Sequence, residues 1–146
     1  MMDFSKGMRI SSSALTANRM RMNTISSNIA NINTTRTPEG GPYRRKDIVF
    51  ESIPEARNFG EILKTKPDRN LMRVQVTDVI PDGKAPILKY EPDHPDANEN
   101  GYVAYPNINL MEEMTNMIQA TRAYEANVSA MQATKDMAMS ALSIGN

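Results

Sequence analysis

This chain of 146 residues predicts a mainly α fold, with long N- and C-terminal helices paired as a coiled coil and a small β-rich module between them. Three observations carry that expectation. Near the start, Met8, Leu15, Met22 and Ile29 recur every seventh residue, with Ile25 and Ile32 in the complementary position. Near the end, Leu110, Met117, Tyr124, Met131 and Ala138 do the same, joined by Met114, Val128 and Leu142. Between these stretches the apolar period shortens to two. Sevenfold recurrence over several turns marks helices that bury a narrow seam against another helix, whereas alternation marks strands. An isolated helix cannot cover such a seam in water, so both ends require a partner.

The first helix is expected from about Phe4 to Asn31, within an N-terminal axial segment of residues 1–36. It is rich in Ser, Thr and Asn, which compete for backbone hydrogen bonds and lower intrinsic helicity. Ser11 and Asn18 even fall on the seam, so the helix is expected to be frayed alone and ordered only when packed. The turn-forming run Pro38-Glu39-Gly40-Gly41-Pro42 ends this segment.

The middle module, residues 37–106, holds three expected strands: Asp47–Phe50, Met72–Val79 and Ala85–Tyr90. Pro81-Asp82-Gly83-Lys84 is the turn before the third, residues 54–70 read as a polar loop, and Glu91–Gly101 reads as a turn-forming linker. A sheet this small needs a helix or a neighbouring subunit to lean on. In the last segment, 107–146, Asn107 or Asn109 caps a helix that continues to about Ser143, before Gly145. That helix is about 50 Å long at 1.5 Å per residue, more than the middle module can cover.

Composition narrows the function. The chain has no cysteine, which excludes disulfides, zinc–thiolate sites and thiol nucleophiles. Tryptophan is absent and aromatics make up 5%, too little for a large core. The formal net charge of zero conceals a gradient: residues 1–38 carry +4, while residues 39–106 and 107–146 carry −2 each. This favours pairing of the first helix with the last, or of each with neighbours of opposite sign, and makes no case for nucleic acid. There is neither a leader-like apolar run at the start nor a stretch long enough to span a bilayer.

No catalytic, cofactor or metal site emerges. His94, the only histidine, lies in a proline-flanked acidic loop with no nucleophile beside it and reads as a solvated loop residue. Asp96-Ala97-Asn98-Glu99-Asn100-Gly101 resembles the opening of a calcium loop, but the twelfth position, where a bidentate Glu belongs, is Asn107. The run therefore reads as a turn. Arg44-Arg45-Lys46 lacks the interleaved aromatics of a nucleic-acid binder and reads as a solvated strand edge or a salt-bridging contact to a neighbour. Nine of the twelve methionines fall on the two helices, where a flexible side chain suits both a core and an adaptable interface.

Three stretches carry a resemblance. Ser13-Ala14-Leu15, with Ser27-Asn28-Ile29-Ala30-Asn31 and the following Asn33-Thr34, is similar to the N-terminal signature of axial proteins of the bacterial flagellar rod and hook. Thr37–Lys46, with Gly40, Gly41, Pro42, Tyr43, Arg44 and Arg45, resembles the short components of the proximal rod in particular. So does Gly101–Met114, with Pro106 and Asn107, running into Arg122-Ala123-Tyr124-Glu125-Ala126-Asn127. The resemblance implies a structural, non-enzymatic subunit of the flagellar basal-body rod, a helical drive shaft that transmits torque. It implies export through the flagellar type III apparatus without a cleavable signal, and assembly in the periplasm. The implied partners are rod proteins similar to FlgB, FlgF and FlgG and an adaptor similar to FliE, with no small-molecule substrate. The seams Met8, Leu15, Met22, Ile25, Ile29, Ile32 and Leu110, Met114, Met117, Tyr124, Val128, Met131, Leu142 become the expected assembly interfaces. A cytoplasmic coiled-coil adaptor or export chaperone is the alternative that the seams alone leave open.

Overall fold

The computed structural model of the chain describes residues 2–54 and 72–144. The loop expected over residues 54–70 lies outside them beyond Pro54, as does the helix stop at Gly145. Helix α1 spans Met2–Ala30, strand β1 Lys46–Pro54, β2 Met72–Pro81, β3 Ile87–Tyr90, β4 Tyr102–Tyr105 and helix α2 Leu110–Ile144. The strands form two two-stranded sheets, β1 with β2 and β3 with β4. Long terminal helices with a small β middle are therefore present, close to their expected bounds. At 1.5 Å per residue, the 35 residues of α2 extend about 52 Å.

How α1 tolerates its polar residues is visible in its side-chain bonding. Ser13 Oγ donates to Ile10 O at 2.7 Å, and Thr16 Oγ1 to Ser12 O at 3.1 Å. Asn18, on the expected seam, turns its Nδ2 back to Ala14 O at 3.0 Å. These bonds to the preceding turn spend the polar groups on the helix's own carbonyls and let Ser13 and Asn18 sit partly buried. On α2, Thr115, Asn127 and Thr134 do the same toward Met111, Ala123 and Ala130. The N-cap of α2 is Asn109, not Asn107. Asn109 Oδ1 accepts from the amides of Met111 at 3.0 Å and Glu112 at 3.4 Å, while Asn107 Nδ2 donates to Ala85 O at 3.1 Å. Glu112 and Glu113 then place two carboxylates at the positive end of the helix.

The sequence reading missed β4. It pairs antiparallel with β3 in the register Ile87↔Tyr105, Leu88↔Ala104, Lys89↔Val103 and Tyr90↔Tyr102. Four residues between a glycine turn and Pro106 are too few for a period to show, and only pairing with β3 makes them a strand. The third expected strand is correspondingly shorter, beginning at Ile87 rather than Ala85, because Pro86 has no N–H for the ladder.

The Glu91–Gly101 connection of this hairpin is tied at its base, where Glu91 N donates to Gly101 O and Asn98 N to Tyr102 O, both at 2.9 Å. Gly101 has φ +77°, and a Cβ there would meet Tyr90 Cε2 at 2.9 Å and Pro92 Cβ at 3.3 Å. Glycine is required both for the backbone angle and for the space. The Tyr90 and Tyr102 rings meet edge to face at 5.3 Å.

By packing, the chain divides into two compact units. The first comprises Met1–Met20, Phe50–Thr77 and Ala120–Asn146, the second Arg21–Val49 and Asp78–Gln119. Among the described residues the buried apolar side chains are Ala17 and Ala120 in the first unit and Ile25, Val103 and Ile108 in the second. Two of the most enclosed side chains, Asn28 and Glu113, are polar. Against this small apolar interior, eighteen large hydrophobic side chains among the described residues are exposed, far more than a self-sufficient globule of this size presents.

Candidate functional site

Within the second unit, the end of α1, the start of β1 and the first turn of α2 converge on Asn28. Asn28 is 1% exposed and lies in the last turn of α1. Its Oδ1 accepts from Lys46 N at 2.9 Å and from Tyr43 Oη at 3.0 Å. Its Nδ2 donates to Lys46 O at 2.9 Å and to Glu113 Oε2 at 3.1 Å. A primary amide offers two donors and two acceptor sites, and all four are used here. Toward Lys46 the amide acts as one more rung of a β ladder, fastening a helix to a strand through a side chain.

Glu113 is also 1% exposed and is satisfied from the other side by Arg45, whose Nε donates to Oε1 at 2.8 Å. The Arg45 side chain is 16% exposed, and its Nη1 lies 3.3 Å from Asp47 Oδ2. Burial pulls the Arg45 guanidinium toward neutrality. The hydrogen bond and Coulomb attraction of Glu113, followed by those of Asp47, outweigh this and raise its pKa above the ordinary arginine value. The cation is therefore permanent. Tyr43 Oη also lies 3.3 Å from Ser27 Oγ, and Lys46 Nζ sits 5.8 Å from the centre of the Tyr43 ring.

Arg45 is accordingly not part of a solvated edge. In the extended backbone entering β1, successive side chains point to opposite sides, so Arg44 and Lys46 face water while Arg45 turns inward to the buried carboxylate. The loop before it is equally defined. Asn31 Nδ2 donates to Ser27 O at 2.8 Å, and Thr34 Oγ1 to Asn31 Oδ1 at 3.1 Å. Thr37 N reaches Gly41 O at 2.9 Å and Tyr43 N reaches Thr34 O at 3.0 Å. Gly40 and Gly41 turn the chain at φ +89° and +76°, with open space around both, and Pro42 is half-buried beside them. Pro106 is buried at the end of β4, where its carbonyl accepts from Ile108 N at 3.0 Å.

The loop residues weighed as chemical candidates have structural roles. His94 is half-buried rather than solvated: its Nδ1 accepts from Asp96 N at 3.1 Å, and its ring meets Tyr105 edge-on at 6.3 Å. Asp96 accepts from Thr35 Oγ1 at 2.8 Å and has Arg36 at 3.9 Å, so it ties two loops together. Tyr105 Oη donates to Glu91 Oε2 at 2.9 Å, and that hydrogen bond first, with burial and charge behind it, raises the phenol's pKa. Among the described residues no group of three or more acidic or histidine side chains could hold a metal, and no helix is long and apolar enough to cross a membrane.

The two predicted seams are placed differently. On α1, Met8, Leu15, Met22, Ile29 and the following Ile32 are half-buried, and Ile25 is 5% exposed. On α2, Met117, Tyr124 and Met131 are half-buried, flanked by the column of buried Glu113 and Ala120 and half-buried Asn127 and Thr134. The other flank is open: Leu110, Met114, Val128 and Leu142 are 43, 48, 38 and 60% exposed, beside exposed Met111, Ile118 and Met139.

Sequence reasoning did not single out Glu113. The Glu112-Glu113 pair reads as ordinary helix-start acids, and only the column it shares with Ala120, Asn127 and Thr134 could have marked it as inward-facing.

Residues 8–36 match the family of flagella basal body rod proteins, and residues 99–144 match the family described as the flagellar basal body rod FlgEFG protein C-terminal. Over 144 residues the chain is 45% identical to the flagellar basal-body rod protein FlgC of Borreliella burgdorferi, covering 92% of this chain and 93% of that one. The corresponding protein of Bacillus subtilis is 43% identical over 94% of this chain and 95% of its own length. That of Aquifex aeolicus is 37% identical over 94% and 93%.

Proposed function

We propose a mode of assembly that proceeds from one premise: the chain belongs to the FlgC family of flagellar basal-body rod proteins and is a structural subunit of that rod, not an enzyme. The terminal segments 1–36 and 107–146 pair as a coiled coil that lines the shaft, and the β-rich residues 37–106 lie outside it. Neighbouring subunits complete the seams, and repetition of a contact whose rotation does not close generates a helical tube. The neighbours are other rod proteins, similar to FlgB, FlgF and FlgG, with a FliE-like adaptor at the base. The chain reaches this periplasmic site through the flagellar type III apparatus, unfolded in transit. A helix as poor in intrinsic propensity as α1, in a chain without cysteines, suits that passage. The finished shaft transmits torque for motility.

The observation that carries this reading is the open flank of α2. Leu110, Met114, Val128 and Leu142 follow a heptad, yet each stays more than a third exposed in the single chain. Full burial of such a side chain is worth about 1.5–3 kcal/mol, and because 38–60% of each is still exposed, covering the remainder by another helix is worth roughly 0.6–1.8 kcal/mol apiece. The chaperone alternative loses its ground, because the full-length relatives are rod proteins.

The test uses Val128→Asp and Leu142→Asp in a strain lacking its own copy of the gene. Both positions are exposed, so the isolated variants keep wild-type stability to within about 0.5 kcal/mol. Assembled rods, counted in isolated basal bodies, disappear together with swimming. Normal rods in both variants would refute the proposal.

A further inference from the structure

Within the first unit, a groove of about 460 Å³ runs between α1 and β2, lined by Ala17 and Met20 on the helix and by Arg73, Val74 and Val76 on the strand. Ser13 fixes its width: the hydroxyl that donates to Ile10 O also accepts from Val74 N at 3.2 Å. That hydroxyl hydrogen is spent, and among the described residues no carboxylate lines the groove. Arg73 Nε is nevertheless buried there without a hydrogen-bond partner, the one such side-chain atom among the described residues. Native proteins rarely leave a buried donor unmet, and a guanidinium fork is shaped to take a carboxylate.

We infer that this groove receives α2 of a second copy of the chain, with Glu125 of that copy as the acceptor for Arg73. Glu125 is exposed and, among the described residues, makes no ion pair. At 100° per residue it shares a helix face with Ile118 and Val128, which are 53 and 38% exposed. An acid set between apolar side chains on one face complements a groove that Met20, the two valines and an arginine with an unpartnered Nε all line. The chain's own charge gradient, positive over residues 1–38 and negative over 107–146, has the same polarity. The inference rests on the reading above, in which neighbouring subunits cover the open flank of α2, and it assigns one contact of that assembly to two copies of this chain.

The absence of cysteine makes the test specific. Chains carrying Arg73→Cys and chains carrying Glu125→Cys are produced together in the strain lacking the native copy. Isolated basal bodies are then treated with a short bismaleimide, because side chains of this length hold their Cβ atoms too far apart for a direct disulfide. The expected product is a covalent dimer of twice 16.3 kDa that forms only when both chains are present. Assembled basal bodies that yield no such dimer, or a cross-link to a different protein, overturn the inference.

Charge reversal gives a second readout. Arg73→Glu and Glu125→Arg each reduce the number of rods by roughly tenfold or more, as breaking a close interfacial charge pair does, and the double reversal restores them. Neutral single variants, or a double variant no better than the singles, overturn it as well. If Val128→Asp and Leu142→Asp still abolish rods in that case, only the Arg73–Glu125 pairing has failed and the wider assembly reading stands.

Discussion

Replacing Asn28 with Asp changes one atom at the centre of the second unit and removes the donor of two hydrogen bonds. Nδ2 becomes an oxygen facing Lys46 O at 2.9 Å and Glu113 Oε2 at 3.1 Å. Loss of the first bond costs about 0.5–1.5 kcal/mol and loss of the second, to a charged group, about 1.5–3 kcal/mol. The new carboxylate then faces an existing one. At 3.1 Å and an effective dielectric constant of about 20, that repulsion is worth about 5 kcal/mol, partly offset by Arg45 on the far side of Glu113. Together these come to about 7–9 kcal/mol before the Arg45 offset, comparable to the whole stability of an ordinary small domain. Asn28→Asp should therefore leave the second unit largely unfolded at neutral pH, as read by urea titration of the circular dichroism and by hydrogen exchange at the Lys46 amide.

The control is Asn28→Asp combined with Glu113→Gln. The amide introduced at position 113 can donate to the carboxylate introduced at position 28, while its carbonyl still accepts from Arg45. The bond is thus rebuilt with opposite polarity and the net charge is unchanged. The double variant should recover at least about 3 kcal/mol of what the single one loses, a coupling of the size found between residues in one network. A single variant within about 1 kcal/mol of wild type, or a double variant no more stable than the single, would show that the network is incidental to the fold.

Two further outcomes follow from the loops. Gly101→Ala meets both a left-handed backbone angle and Tyr90 Cε2 at 2.9 Å, so it should lose about 2–3 kcal/mol in thermal unfolding. Gly40→Ala and Gly41→Ala meet only the angle, in open space, and should lose about 1 kcal/mol each; equal losses at all three sites would contradict the steric part of the argument. The Tyr105 phenol, raised by its bond to Glu91, should ionise above the ordinary 10.0 in the absorbance difference between wild type and Tyr105→Phe, and Glu91→Ala should bring it back. A raised folded pKa contributes stability that is complete below the unfolded value and is lost as pH rises through the folded one, so this contact weakens only in alkali. A midpoint at or below 10.0 would sink that reading.

The parts of the fold that repeat were legible. Sevenfold recurrence located both helices to within a few residues and alternation located β2, because each pattern is long enough to express its period, whereas β1 was read from only the four residues Asp47–Phe50 of its nine. What escaped depends on contacts between distant segments. Strand β4 exists because Tyr102–Tyr105 lies beside Ile87–Tyr90, and four residues cannot announce that alone. The inward turn of Arg45 is set by a carboxylate 68 positions away, and the hydrogen bond from Asn28 to the same carboxylate spans 85. In the sequence these are an arginine in a basic run, an acid at a helix start and an asparagine in a helix poor in propensity. Each has an adequate local explanation, and local explanations gave no reason to bring the three together.

The distribution of polarity explains how one chain can be both ordered and incomplete. An apolar centre is held by contacts that tolerate sliding and repacking, whereas a four-valent amide between a ladder, a phenol and a carboxylate admits a single arrangement. Such a network adds little net stability, since burying its charges offsets much of the attraction. It does fix how the end of α1, the start of β1 and the start of α2 meet. The large hydrophobic side chains are left for the exterior, where Met111, Met114, Ile118, Met139 and Leu142 are each about half exposed or more. The proposed assembly uses this division: polar contacts inside the chain set its geometry, and apolar contacts between chains would supply cohesion. On the same proposal the methionines, whose unbranched side chains adapt readily, suit neighbours that differ slightly from one another. Exchanging the roles, with the leucines inside and the amide network at the surface, would give a more stable monomer with nothing left to hold its neighbours.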